Sequence, residues 1–441
     1  MKKVIVILLL ALMVLSCANG CGRRREDDVY YLNFKPEVAD IYQRIASDYK
    51  KETGKTLRVV TAASGSYEQT LKSEIGKKNA PTIFQFNGPI GYRTWKNYCA
   101  DLKNTEIYSA LSDKSLAFQD ENGVWGIPYV VEGYGIIYNK AITDAYFALP
   151  NRFSNVNSMD EIKSFAEFKS VVEDMSAHKE ELGIEGVFAS TSLKSGEDWR
   201  WTTHLANVPL HYEFQDNHTD LTLADGVKEI QFQYDEYFKN IFDLYLNNSV
   251  TDKKLLGSKQ VADSMAEFAL EKCAMVQNGN WAWSQIGAVA GNKVKKENIR
   301  MIPIFTGHES EDKQGICIGT ENYLAINKNA SEEKQKAALE FLNWLYSSDT
   351  GKSYVLNELN YIAPFSTFDE THRPTDPLSR QVMEWISNGE VKNITWDFVV
   401  FPSQNFKETF GSMLLQYAQG NKTWEDVKKE FVEVWQAESK K

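Results

Sequence analysis

The strongest constraint on the fold lies between residues 29 and 89, where strand-like and helix-like patterns alternate. The segments VYYLNF, TLRVVTAA and PTIFQF have the β-branched and aromatic character of buried strands, and two helical segments separate them. The first helix has apolar positions at helical spacing: Val38, Ile41, Tyr42, Ile45 and Tyr49. Gly54 is placed to end it. This β-α-β-α-β order predicts a parallel sheet flanked by helices.

Such a sheet places its ligand crevice at the carboxyl ends of the strands. Polar residues follow all three strands, at Asn33 to Lys35, at Ser64 to Glu68 and at Asn87 to Gly88. The candidate ligand-binding residues from these ends are Lys35, Tyr67, Glu68 and Asn87.

The rest of the chain alternates in the same way. SFAEFKSVVEDMSAHKEELG opens with Ser164 and Glu167 at capping-box spacing, and ENYLAIN has a strand pattern. SEEKQKAALEFLNWLYSSDTG predicts a helix that ends at Gly351, and TWEDVKKEFVEVW predicts a last helix.

The first residues predict export. A positive start, MKK, precedes the twelve apolar residues Val4 to Leu15, too short a run to span a membrane but typical of a signal peptide. The following VLSC resembles a lipoprotein cleavage site, which predicts lipidation, such as palmitate, at Cys17. Cys21 is an alternative, and an ordinary secretory signal is another. We expect an extracytoplasmic protein tethered to the cell membrane by its N-terminal lipid.

The length and the net charge of the chain limit its number of domains and its possible partners. A chain of 441 residues exceeds what one core usually supports, so at least two domains are expected. The net charge of −11 opposes nucleic-acid binding, which needs clustered Lys and Arg. We therefore expect no nucleic-acid partner.

Metal and cofactor sites are not expected. Cys99, Cys273 and Cys317 have no metal-ligand spacing, although one disulfide pair stays open. His204, His211 and His218 recur every seven residues, but Pro209 and polar residues between them argue against a shared helix face.

An unusual segment, QNGNWAWSQI (277–286), places Trp281 and Trp283 among Gly, Asn, Ser and Gln. Indoles in such polar company suit contact with a ligand. A sugar is one such ligand, because flat rings cover its C–H face while polar side chains bind its hydroxyls.

Three segments resemble, in order, the extracellular solute-binding proteins (family 1) of ABC sugar importers. They are GIPYVVEGYGIIYNK (126–140), FALEKCAMVQNGNWAWSQI (268–286) and GTENYLAINKNASEEKQKAALEFLNWLYSSDTG (319–351). The resemblance implies a two-lobed α/β fold of the periplasmic-binding-protein type (type II), each lobe a sheet flanked by helices, with a hinge between them. It implies a carbohydrate ligand, an ABC permease partner and no catalysis.

The same resemblance divides the chain. Residues 1–16 would be the signal peptide and 17–28 a lipid-anchored linker. The first lobe would comprise 29–132 plus 320–365, and the second 133–319 plus 366–441. We expect a monomer.

The resemblance also implies roles for individual residues of the site. Trp281 falls where relatives stack a sugar ring, Glu132 where they bind hydroxyls, and Lys35 near a lysine with the same role. Trp283 shares the face of Trp281 or packs behind it. Glu321 and Asn322 are further candidates for hydroxyl contacts.

Two other segments hold candidates. Asp198, Trp199 and Arg200 form an acid–ring–base cluster in a polar stretch, GEDWRW; a surface ion pair beside a core indole is the alternative. Near the C-terminus, Trp396 and Phe406 compete for the role of aromatic wall, and Asp397 accompanies Trp396.

Two other functions stay open. A same-fold protein for a non-sugar or acidic solute would need an opposite charge in the cleft, for which Arg93 and Arg200 are candidates. A surface glycoside hydrolase would need two carboxylates about 5–10 Å apart, and no hydrolase motif supports it.

Overall fold

The computed structural model describes residues 27–62, 66–221, 227–320, 322–369 and 371–440. The candidates Cys17, Cys21 and Glu321 lie outside these residues. The strands of the described residues, in chain order, are β1 Val29–Asn33, β2 Leu57–Thr61, β3 Ile83–Asn87, β4 Phe118–Asp120, β5 Gly123–Pro128, β6 Glu132–Asn139, β7 Gly186–Phe188, β8 Cys273–Gly279, β9 Ile299–Ile302, β10 Gln314–Gly319, β11 Asn322–Ile326 and β12 Lys392–Thr395.

Helices cover both sheets that these strands form. In chain order they are α1 Ala39–Thr53, α2 Tyr67–Glu74, α3 Gly88–Trp95, α4 Glu106–Ser109, α5 Lys140–Phe147, α6 Phe165–Ala177, α7 Ala206–Asp216, α8 Asp235–Asn247, α9 Val261–Ala269, α10 Ala282–Gly287, α11 Glu332–Ser347, α12 Asp349–Asn357, α13 Pro377–Ser387, α14 Gln404–Ala418 and α15 Trp424–Glu438. A π-helix, Arg200–Leu205, runs directly into α7.

The first sheet has the strand order β2-β1-β3-β11-β5-β4. As the sequence predicts, β1 pairs in parallel with β2 and β3, and α1 ends at Gly54 in a left-handed conformation, φ 74°. Strand β1 is buried along its whole length because helices cover both faces of a parallel sheet.

The second sheet has the order β12-β10-β6-β8-β7, with β9 also paired to β6. The long strand β6 is buried at every position and lies at its centre. Helices α14 and α15 pack on the core of this sheet, whereas α11 and α12 pack on the core of the first.

The chain crosses between the sheets more than once. It leaves the first sheet between β5 and β6, at residues 129–131, and it is back in the first sheet at β11, after β10 of the second. Two sheets with separate cores and crossing segments confirm the two-lobed α/β fold. The exact lobe boundaries stay a prediction.

One predicted helix is wrong in extent. The helix expected to end at Gly351 is two helices, because the extended Ser348 (ψ 155°) interrupts it and caps α12 by accepting from the Gly351 amide at 3.0 Å. Gly351 is buried inside α12, where a Cβ atom would lie 2.3 Å from the carbonyl oxygen of Trp344. The glycine thus allows the two helices to approach closely.

Two further findings concern membrane-spanning helices and disulfides. In the described part of the chain, no helix is both long and apolar enough to cross a membrane. Cys99, Cys273 and Cys317 are buried free thiols, so the disulfide that the sequence left open is absent among them.

Candidate ligand-binding groove

A groove lies between the two lobes and holds about 360 Å³ of unfilled space, part of it open to solvent. We call it the interlobe groove. Its lining residues are Glu37, Val38, Glu132, Asn280, Trp281, Trp283, Ser284, Glu358, Leu359, Asn360 and Tyr361.

A buried ion pair closes one end of the groove. The Lys35 ammonium donates to both carboxylate oxygens of Glu132, at 2.7 and 2.9 Å, and both side chains are less than a tenth exposed. Asn33, at the end of β1, holds Lys35 in place because its side chain binds both the amide and the carbonyl of Lys35. Burial raises the pKa of Glu132, and the nearby Lys35 charge opposes that shift.

Trp281 forms the aromatic wall, and its position depends on Gly279. A Cβ atom at residue 279 would lie 2.2 Å from the Trp281 ring, so only glycine lets the indole lie against strand β8. Asn280 fixes the turn between them: it exchanges hydrogen bonds with Gly133 at 3.0 and 3.1 Å and donates to Ser379 at 3.0 Å.

Both indoles of the QNGNWAWSQI segment line the groove. The segment is a strand followed by the short helix α10, in which Trp281 is the N-cap and Trp283 the second residue. Trp283 lines the groove beside Trp281 rather than being sealed in the core behind it. The Lys35 ammonium lies 5.8 Å from the Trp281 ring centre.

Behind Trp281 lies a group of rings that we call the aromatic cluster: Tyr134, Trp199, His204, Trp281, Trp396 and Phe398. His204 stacks on Tyr134 with 4.2 Å between ring centres, and its centre is 5.4 Å from that of Trp281. Trp199 and Trp396 are 6.1 and 6.2 Å from Trp281. The aromatic cluster therefore packs against Trp281 and holds this ring in the groove wall.

His204 is a residue that sequence reasoning missed. Pro209 does not separate it from His211, because the π-helix Arg200–Leu205 joins directly to α7 and Pro209 lies inside this continuous helical run. Burial lowers the pKa of His204 well below its ordinary value, so the imidazole is neutral at pH 7.

Residues 44–377 match the profile of the bacterial extracellular solute-binding proteins. The chain belongs to this family. Members of the family are binding proteins, and the family's description places them outside the cytoplasm.

Several relatives are sugar-binding proteins by name. The multiple sugar-binding protein of Streptococcus mutans is 22% identical over 396 residues, which cover 84% of each chain. A chitin oligosaccharide binding protein has a TM-score of 0.71 at 16% identity, covering 94% of this chain and 98% of its own. A sugar transporter from Bacillus licheniformis in complex with stachyose has a TM-score of 0.66 at 16% identity, covering 93% and 100%.

In the Asp198–Trp199–Arg200 cluster, Asp198 and Arg200 are buried and Trp199 is half-buried, so the polar character of GEDWRW does not place these residues at the surface. Arg200 is 1% exposed, stacks on Trp199 at 4.7 Å and donates to Ser192 at 2.9 Å. Burial lowers the pKa of Arg200 to about 9 and raises that of Asp198 to about 7. Trp199 belongs to the aromatic cluster, whereas Asp198 and Arg200 do not line the groove.

Three candidate ligand-binding residues, Asp397, Phe406 and Tyr67, do not line the groove. Asp397 is buried and binds the His211 ring at 2.6 Å. Phe406 is fully buried among the rings of α14 and α15. Its competitor Trp396 is also buried and packs behind Trp281 in the aromatic cluster, so neither of the two lines the groove. Tyr67 is buried under the first sheet, where its hydroxyl accepts from the Gln85 amide at 2.6 Å.

Three remaining candidates lie at the edge of the first lobe. Glu68 is exposed and accepts from the Trp95 indole at 3.0 Å. Asn87 and Asn322 are opposite each other where β3 and β11 pair. None of these three is among the lining residues of the interlobe groove.

No group of three or more His, Cys, Asp or Glu side chains in the described ranges could hold a metal ion. The polar and aromatic groups of the groove are rings, carboxylates and amides, with the buried Lys35 bound to Glu132.

Proposed function

We propose that this protein captures a carbohydrate, an oligosaccharide of a few units, in the interlobe groove and delivers it to the permease of an ABC importer. The observation that carries this proposal is Trp281, a groove-lining ring that packs against Gly279 of β8 beside the Lys35–Glu132 pair. A ring covers the C–H face of a pyranose, and charged hydrogen-bonding groups bind its hydroxyls.

The relatives support the same ligand class. Similar proteins are described as binding multiple sugars, chitin oligosaccharides or stachyose. They differ too much from one another to select one sugar for this chain, so a panel is needed.

Titration calorimetry with the purified body of the protein, residues 27–441, tests the proposal. The panel is raffinose, stachyose, xylotriose, chitotriose, cellotriose and maltotriose. Binding with a Kd of about 10 µM or below, roughly −7 kcal/mol, to at least one sugar is expected. Failure to bind any sugar by calorimetry, repeated with longer oligomers, overturns the sugar assignment.

A glycoside hydrolase is the competing function, since Glu37 and Glu132 both line the groove. Glu132 is occupied by Lys35 through both of its oxygens, which leaves it unsuited to attack or protonate a glycosidic bond. A bound sugar should therefore be recovered intact after a day, whereas release of new reducing ends would favour the hydrolase.

We also propose that the protein is a monomer tethered by a lipid on Cys17, in the order signal peptide, linker and two lobes that the sequence predicts. The VLSC sequence supports the lipid. In a cell that processes lipoproteins, Cys17→Ala should move the protein from the detergent phase to the aqueous phase of a Triton X-114 partition. Loss of partition only on Cys21→Ala would assign the lipid to Cys21.

A further inference from the structure

The interlobe groove is rich in negatively charged hydrogen-bond acceptors. Three of its lining residues are carboxylates, Glu37, Glu132 and Glu358. A ligand that donates hydrogen bonds or has a positive charge therefore suits the groove.

Three side-chain donors on the groove wall are used within the protein. The Asn280 side-chain amide donates to Ser379 at 3.0 Å, and the Ser284 hydroxyl donates to the Trp281 carbonyl at 3.1 Å. The Asn360 amide donates to the carbonyl of Glu358 at 3.2 Å.

One acceptor on the same wall is less well satisfied. The side-chain oxygen of Asn360 is buried and has no hydrogen-bond partner among the described residues. Buried polar atoms without partners are costly, so a ligand that bonds them gains affinity.

Glu37 is the least satisfied carboxylate of the three. Lys35 binds both oxygens of Glu132 at 2.7 and 2.9 Å but lies 3.7 Å from Glu37. Glu358 pairs with Arg44 at the rim. One ammonium thus faces two carboxylates inside the groove, which leaves an excess negative charge at Glu37.

We propose that Glu37 determines the charge of the ligand: the groove takes a neutral sugar or one with a protonated amine, and it rejects a sugar that has a carboxylate. This inference rests on the proposed function and adds a ligand class to it. A neutral sugar donates a hydroxyl to Glu37. An ammonium group also neutralises it, whereas a carboxylate meets a like charge with little water between them.

The probes are raffinose, maltotriose and cellotriose. Each is compared with forms in which one primary hydroxyl is replaced by an amine or oxidised to a carboxylate. Calorimetry at pH 7.5 and low ionic strength keeps the amine protonated and the carboxylate ionised. The protein variants are wild type, Glu37→Gln and Glu433→Gln, the last removing one exposed charge far from the groove. Circular dichroism checks that each variant is folded.

For the neutral sugar that binds, the amine form should bind at least as tightly and the carboxylate form at least tenfold more weakly. Glu37→Gln should reduce this tenfold penalty to threefold or less, and Glu433→Gln should leave it unchanged. A carboxylate form that binds wild type within threefold of the neutral sugar overturns the inference, as does an undiminished penalty in Glu37→Gln.

The outcome separates the two proposals. Neutral binding without charge discrimination overturns only the role of Glu37. Absence of binding to all nine probes and to the wider panel overturns the proposed function, and this inference with it.

Discussion

The Lys35 ammonium and the Glu132 carboxylate form a double hydrogen bond, at 2.7 and 2.9 Å, between the two lobes. Lys35 follows the first strand of the first sheet, and Glu132 begins the central strand of the second. The pair therefore joins the two lobes at the same place where it borders the Trp281 ring.

Removing one partner of this pair should destabilise the fold. Glu132→Ala leaves the buried ammonium without its main partner, and such a loss costs about 3–5 kcal/mol. Urea denaturation of Glu132→Ala and of the double variant Lys35→Met/Glu132→Leu measures it. The double variant should regain most of the lost stability, because no charge is left buried. A Glu132→Ala protein within about 1 kcal/mol of wild type would contradict the description of the pair as buried.

Trp281→Ala should weaken carbohydrate binding by tenfold or more, about 1.4 kcal/mol or greater, because it removes the ring that covers the sugar. Trp281→Phe should retain part of the affinity. Trp344→Ala is the control, since Trp344 lies on the surface of α11 and donates to Glu52 far from the groove. Calorimetry on the tightest-binding sugar of the panel gives all three values; equal losses in Trp281→Ala and Trp344→Ala would remove Trp281 from the site.

Gly279→Ala should mimic the loss of Trp281 without deleting it. Its Cβ would lie 2.2 Å from the indole, so the ring has to move away from β8. We expect a clear fall in affinity and a shift in tryptophan fluorescence. Gly389→Ala is the matched control, because no atom lies within 4 Å of a Cβ at that position. Unchanged affinity in Gly279→Ala would mean that the ring's position does not matter for binding.

Asp198 should make stability depend on pH. Its pKa is about 7 in the folded protein, against about 3.9 in an unfolded chain, so folding disfavours the ionised form. This group's contribution to stability is therefore lost as the pH rises from about 4 to about 7.

Asp198→Asn cannot ionise, so it should gain stability over wild type by about 2–4 kcal/mol between pH 4.5 and pH 8. Urea denaturation at the two pH values measures this gain, with the exposed Asp312→Asn as the control. A difference between Asp198→Asn and wild type that does not change with pH would contradict a buried, ionisable Asp198.

Local pattern predicted the parts of the fold that local chemistry determines. The parallel pairing of β1 with β2 and β3 followed from alternating segments, and the end of α1 followed from Gly54. The groove position of Trp281 was predicted because an indole among small polar residues has no core pattern of its own.

Predictions that depended on distant partners were less successful. Nothing near Asp397 in the sequence indicates that His211 binds it, and the spacing around Phe406 does not distinguish a core ring from a cleft ring. The burial of Arg200 depends on a π-helix and on Ser192, which local polarity does not indicate. These contacts form only when the second lobe packs.

The central claim is that a sugar ring lies on Trp281 in the interlobe groove. The most direct measurement is a crystal structure of the protein with the tightest-binding oligosaccharide of the panel. We predict a pyranose face within about 4 Å of the Trp281 ring, with a hydroxyl bonded to Glu132 or Lys35. A sugar bound elsewhere, with Trp281 untouched and the groove filled only by water, would contradict the claim.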